Sequence, residues 1–171
     1  MKGSLARAGI AVLVGVCCAL VPAVVAADGG GNILEFNVMT PVTGPFVGAA
    51  NPIRGVNGGG LPWVIGQGHG ELNANGHINI EVHGLVLANE PPVPPALRLT
   101  NPVPNFRAIV SCLSIDETGM VETVSVQTDP FPASAAGDAR IEASIALPSP
   151  CVAPIVFVTS PGGAWFAATG R

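Results

Sequence analysis

The chain has 171 residues, with seven Lys plus Arg against eleven Asp plus Glu and a formal net charge of −4. After residue 27 there is no lysine, and five arginines (54, 98, 107, 140 and 171) face all eleven acids, a net of −6. That balance excludes a basic nucleic-acid footprint and makes anionic membrane surfaces poor partners. It also removes the lysine that Schiff-base chemistry and a phosphate-binding P-loop require.

The first 27 residues read as an address. Lys2 and Arg7 are followed by an apolar run from Ala8 to Val21, a break at Pro22, and the small-residue ending Val25-Ala26-Ala27. Basic start, apolar middle and small-residue end make a secretory signal peptide, expected as a helix and removed from the mature protein. The competing reading is a retained anchor, since Ala8 to Ala27 is 20 residues and roughly that length crosses a bilayer. No basic stop-transfer cluster follows Ala27, which favours removal. A lipid anchor on Cys17 or Cys18 lacks the small preceding residue, because Val16 and Cys17 stand there. The reading is thus a signal peptide over residues 1–27 and a single domain over 28–171.

The remaining 144 residues suit one domain with a buried core. Gly (22) and Pro (17) are frequent and charge is low at 11%, a combination that suggests short strands joined by tight turns. Ile33 to Val38 alternates, predicting Leu34, Phe36 and Val38 on one face. Thr40 to Pro62 is broken by proline and glycine and reads as a long loop with a short edge strand.

A hairpin is predicted from Trp63 to Leu87, turning at Asn75-Gly76. A two-residue turn mixes polar and apolar faces. A three-residue loop, Ala74-Asn75-Gly76, pairs Leu72 with Ile78, Glu71 with Asn79, His69 with Glu81 and Gln67 with His83, and separates the faces cleanly. The apolar face then carries a trough of Gly66, Gly68 and Gly70, with Trp63 or Trp165 expected to cover it.

Asn89 to Asn105 is proline-rich and predicts a crossing between sheets, partly as polyproline II. Phe106 to Ile115 is apolar on both sides, as a central strand is, and Asp116 to Gly119 turns the chain. Val121 to Thr128 returns it, with Val124 and Val126 on one side. Ala139 to Leu147 places Ile141, Ala143, Ile145 and Leu147 inward. Pro154 to Thr159 and Ala164 to Thr169 flank Ser160-Pro161-Gly162-Gly163 as a terminal hairpin. The sum is an all-β fold, an antiparallel Greek-key β-sandwich of about seven to nine strands.

Cys112 and Cys151 are the two cysteines left after cleavage. In an exported chain an even pair reads first as a disulfide, with two separate buried thiols as the alternative. All three histidines fall in the central hairpin, where His77, Asn79, Glu81 and His83 share a face. His77 and His83 are six residues apart, about 20 Å along a strand, and cannot share an ion. His69, Glu81 and His83 can converge, as ligands for Zn²⁺ or Cu²⁺ or as solvated residues of an exposed face. No Gly-x-Ser-x-Gly elbow and no Asp-x-Asp-x-Asp calcium loop occurs. Asp116-Glu117 and Gly137-Asp138 read as turns.

Gly70-Glu71-Leu72, Val82-His83-Gly84-Leu85 and Ile155 to Gly163 resemble the chordin-type domain, a secreted Greek-key β-sandwich module. The Ala-His-Ile-His pattern of such domains is missing, and Ala164-Trp165-Phe166-Ala167 stands where they carry a charged strand. The whole mature chain is also similar to exported bacterial proteins of uncharacterised function with the same cysteine pair and Trp-Phe-Ala ending. The resemblance implies export and a sandwich, and no reaction. The expected function is a secreted, non-enzymatic binding or cell-surface-associated module without a cofactor. Its partner is an extracellular ligand or protein, not nucleic acid, and the mature chain does not insert in a membrane. Two alternatives stand beside it: a Zn²⁺- or Cu²⁺-binding secreted protein, and an extracellular hydrolase whose site is assembled from residues distant in sequence.

Overall fold

The structure is a computed structural model that describes residues 30–169. The expected signal helix and its cleavage site lie outside the described residues.

Twelve strands occur among the described residues: β1 (Asn32–Phe36), β2 (Thr40–Pro41), β3 (Trp63–Val64), β4 (Gln67–Asn73), β5 (His77–His83), β6 (Val86–Leu87), β7 (Asn105–Ile115), β8 (Val121–Gln127), β9 (Phe131–Pro132), β10 (Ala139–Ser144), β11 (Val152–Thr159) and β12 (Trp165–Ala168). Eight of them have four or more residues, while β2, β3, β6 and β9 are two-residue pieces. One sheet runs β1-β4-β5-β10. A second runs β2-β12-β11-β7-β8, with β9 pairing β7 to one side, and β3 pairs β6. The strand pairings are antiparallel and neither main sheet closes on itself.

The hairpin has the register that face separation demands: Leu72 opposes Ile78, Glu71 opposes Asn79, His69 opposes Glu81 and Gln67 opposes His83. Gly76 closes the loop with φ +85°, donating to the Asn73 carbonyl at 2.9 Å. The Ile145 carbonyl fills the place a Cβ of residue 76 would take, so glycine is needed for conformation and for space.

Alternation builds the core. Leu72, Ile78, Ile80, Val82 and Ile141 from the first sheet, with Phe106, Val110, Val156 and Phe157 from the second, are fully buried in one apolar cluster. Removing such side chains from water drives the sheets together, at roughly 1.5–3 kcal/mol for each large one. β7 is the central strand expected of it, hydrogen-bonded to β11 on one side and β8 on the other, and buried on both faces from Ala108 to Cys112. Arg54, from the loop after β2, donates to the Ser111 carbonyl of β7 at 2.8 Å. β8 lies at the sheet edge, with Val124 and Val126 half-buried and its other residues exposed.

Three expectations need correction. The first strand ends at Phe36, and Val38 is 64% exposed while Met39 is buried; the chain shifts phase by one residue, so the inward position falls to Met39. Neither tryptophan covers the glycine row. Met39 and Ile65 lie over Gly68, and the Phe36 ring lies over Gly70, 2.8 Å from where a Cβ would stand. β1 pairs Phe36 with Gly70, so the cross-strand neighbour supplies the cover that a distant indole was expected to give. Finally, β10 ends at Ser144, although Ile145 and Leu147 continue inward as half-buried residues against the core.

In the proline-rich segment Val93 is buried, Pro95–Leu97 forms a short 3-10 turn, and the flanking Pro94 and Arg98 hold polyproline-like torsions. Cys112 and Cys151 form a disulfide with Cα atoms 5.0 Å apart. It ties β7 to the start of β11, which are adjacent strands of one sheet. Among the described residues no helix is long and apolar enough to cross a membrane.

Candidate functional site

Residues that alternate with the core positions of β4, β5 and β10 form a polar face on the outside of the first sheet. The register arranges them in lateral rows. Gln67 lies beside His83. His69, Glu81 and Arg140 form the next row. Glu35, Glu71, Asn79 and Glu142 follow, one from each strand of the sheet, and His77 and Ser144 make the last pair. Such neighbours stand roughly 4.5–5.5 Å apart at Cβ and interact directly.

An open groove of about 310 Å³ sits on this face, lined by Glu35, Phe36, Asn37, His69, Gly70, Glu71 and Asn79. Glu71 accepts from Asn32 Nδ2 at 3.0 Å, and Glu142 pairs with Arg140 at 3.2 Å. Both pairs are exposed, where ion pairs and hydrogen bonds contribute little to stability. The row's carboxylates are therefore available to a ligand.

Of the residues expected at a metal site, His69, Glu81 and His83 are neighbours. His69 Nε2 lies 3.4 Å from Glu81 Oε2, and His83 Nε2 lies 3.8 Å from Glu81 Oε1. As the side chains stand, no group of three or more His, Cys, Asp or Glu among the described residues encloses an ion position. His77 stands three rows from His83, opposite Ser144.

Asp138 was legible only as a turn residue, and it is more than that. Its Oδ1 accepts from the Gly84 amide at 3.1 Å and faces His83 Nδ1 at 3.4 Å. Ser134 Oγ approaches its other oxygen at 3.3 Å. The Gly84 amide first, with the Ser134 hydroxyl and His83 behind it, holds its carboxyl below the usual range against an opposing effect of desolvation. The link to His83 depends on β10 lying beside β5 across a gap of more than fifty residues, which no local pattern reveals.

The other candidates are committed to the fold. Asp116 Oδ1 accepts from the Thr118 amide at 2.8 Å, the Thr118 hydroxyl at 2.7 Å and the Met120 amide at 2.9 Å. Ser111 is fully buried in β7. In the triple-glycine stretch Gly58 bridges to Trp165, and the Gly59 amide donates to the Trp165 carbonyl.

Compared with family models, curated proteins and solved structures, the chain matches none.

Proposed function

We propose that the protein is an exported, non-enzymatic binding module, a Greek-key β-sandwich that presents the polar face of its β1-β4-β5-β10 sheet to a ligand or protein outside the cell. The observation that carries this reading is the row Glu35, Glu71, Asn79 and Glu142 running across all four strands beside an open groove. A rigid sheet holds these side chains in fixed register, so a ligand meets preset acceptors instead of ordering a loop, which lowers the entropy cost of binding. Three carboxylates and an amide in one line select a partner rich in cationic or hydrogen-bond-donating groups.

Three further points support export and the sandwich. The N-terminal pattern is that of a signal peptide. The Cys112–Cys151 bridge suits an oxidising compartment. The chain leaves β5, builds β7 and β8 in the other sheet, and returns as β10 beside β5, a connection of Greek-key kind. The resemblance to the chordin-type domain and to exported bacterial proteins fits the same reading.

The test compares the exported protein with a Glu71→Gln/Asn79→Ala variant in binding to the cell-envelope fraction. The expected result is saturable binding by the wild type, loss of most of it in the variant, and an unchanged melting temperature. Equal binding by both proteins, or none by either, removes the assignment of this face. N-terminal sequencing of the exported protein is expected to begin at Asp28.

A further inference from the structure

The two main sheets end on β1, β10, β2 and β8, and three of these edges are defended. β2 is two residues long and contains Pro41. β1 carries a register shift between Asn32 and Leu34, and β10 alternates the charged Arg140 and Glu142 along its length. Short length, proline, irregular register and charge are what keep a sheet edge from pairing with another chain. β8 lacks them. It runs seven residues from Val121 to Gln127 without proline, glycine or a cation, in unbroken register with β7, and Glu122 is its one charge. We propose that the free edge of β8 pairs with β8 of a second copy, antiparallel and about a two-fold axis at Val124, to make a closed dimer.

The first argument is which backbone groups are free. Residues opposite each other in an antiparallel ladder alternate between pairs that exchange both hydrogen bonds and pairs that exchange none. The Asp116 amide donates to the Met120 carbonyl at 2.9 Å, and the Thr128 amide to the Ala108 carbonyl at 3.0 Å, one at each end of the β7–β8 ladder. Counted inward from either end, Glu122, Val124 and Val126 turn their amides and carbonyls toward β7. Val121, Thr123, Ser125 and Gln127 turn theirs away from it. All four are exposed, and among the described residues no strand lies beyond them. Strand addition engages a row of this kind through the main chain.

The second argument is that β8 fits itself. An axis at Val124 sets Thr123 opposite Ser125 of the second copy, and Val121 opposite Gln127 of the second copy. Every amide and carbonyl on the free edge then has a partner. An axis at Thr123 or Ser125 leaves one end of the strand unpaired, and an axis at Glu122 sets two carboxylates face to face, which is unfavourable. With the axis at Val124, each Glu122 lies opposite Val126 instead. Val124 meets its own copy in a pair without hydrogen bonds, where Cα atoms approach to roughly 4.5 Å and side chains touch. Val124 and Val126 are half-buried, and Val126 packs on the core, so the pairing covers apolar surface that the sheet edge leaves open. A two-fold contact uses the same patch on both copies and closes at two.

The edge belongs to the second sheet and shares no residue with the polar face of the first. The proposal therefore stands whether or not that face binds a ligand.

Sedimentation equilibrium of the exported protein over a concentration series tests it. A reversible monomer–dimer equilibrium is expected. Thr123→Lys/Ser125→Lys puts like charges directly opposite each other across the new pairing and should weaken it about tenfold. Val121→Lys/Gln127→Lys does the same at the strand ends and should also weaken it. Thr123→Lys/Ser125→Glu sets opposite charges together and should restore the dimer to at least the wild-type level. With the axis at Thr123 or Ser125, that last variant would set like charges together and no rescue would follow. All four positions are exposed, so the dilute variants should melt as the wild type does. A wild type that stays monomeric, assemblies that grow beyond two, a dimer indifferent to both lysine pairs, or failure of the opposite-charge variant to restore it overturns the proposal.

Discussion

Asp116 is the residue whose chemistry can be read most directly. One carboxylate oxygen gathers two amides and a hydroxyl within two to four residues, led by the Thr118 hydroxyl, and these bonds hold its pKa below the ordinary 3.8. A depressed folded value means that the ionised form favours the fold. That contribution is present above pH 3.8 and is lost as pH falls through the lower folded value. Asp116→Ala is expected to lower the urea midpoint at neutral pH, with the gap to wild type closing as the titration is carried below pH 3.8. A gap of constant size across that range would show that the ionised carboxylate is not what matters. Its turn role was legible because Asp followed closely by Gly is a local signal. The exposure of Val38 and the Asp138–His83 contact were not legible: one depends on a phase slip after Phe36, the other on a neighbour far along the chain.

Among the elements, the β4–β5 hairpin was readable in full. Only one loop length separates its apolar and polar faces, and Gly76 has the positive φ that loop requires. The grid of polar residues follows from that register, so His69, Glu81 and His83 could be placed together from sequence, and so could the long apolar β7. The two-residue strands β3, β6 and β9 could not, because a strand that short has no periodicity to detect, and β2 was legible only as a short edge strand somewhere in the Thr40–Pro62 loop. The cysteine pairing was open between a bridge and two thiols, and the bridge is what forms. With 39 residues separating its ends, it is worth roughly 4 kcal/mol through the unfolded chain. A Cys112→Ser/Cys151→Ser variant is expected to lose about that much in urea denaturation, and the wild type to gain two hydrogens in mass on reduction. A loss below about 1 kcal/mol would mean that the reduced chain keeps the same constraint by other contacts.

For the whole molecule the decisive fact is that both main sheets bury side chains in one cluster, as sequence alternation had indicated for the longer strands. Neither sheet has a separate core, so they should unfold together. Phe157 is fully buried in β11. Phe157→Ala is expected to cost about 3–5 kcal/mol, a large share of the roughly 5–15 kcal/mol of a whole domain. Urea transitions followed by circular dichroism and by hydrogen exchange should stay coincident. Separate transitions for the β4–β5 and β7–β11 amides would mean two cores.

The chain has two tryptophans and no tyrosine, and both indoles are almost wholly buried. Trp63 lies flat against Phe166 with ring centres 3.9 Å apart, where the β3–β6 pair meets the larger sheet, and Trp165 sits between Phe46 and Phe157. Near-ultraviolet emission from the native protein thus comes from apolar surroundings alone, and it moves to longer wavelength once water reaches either ring. The fold contains its own optical gauge of integrity, with no dye or label added.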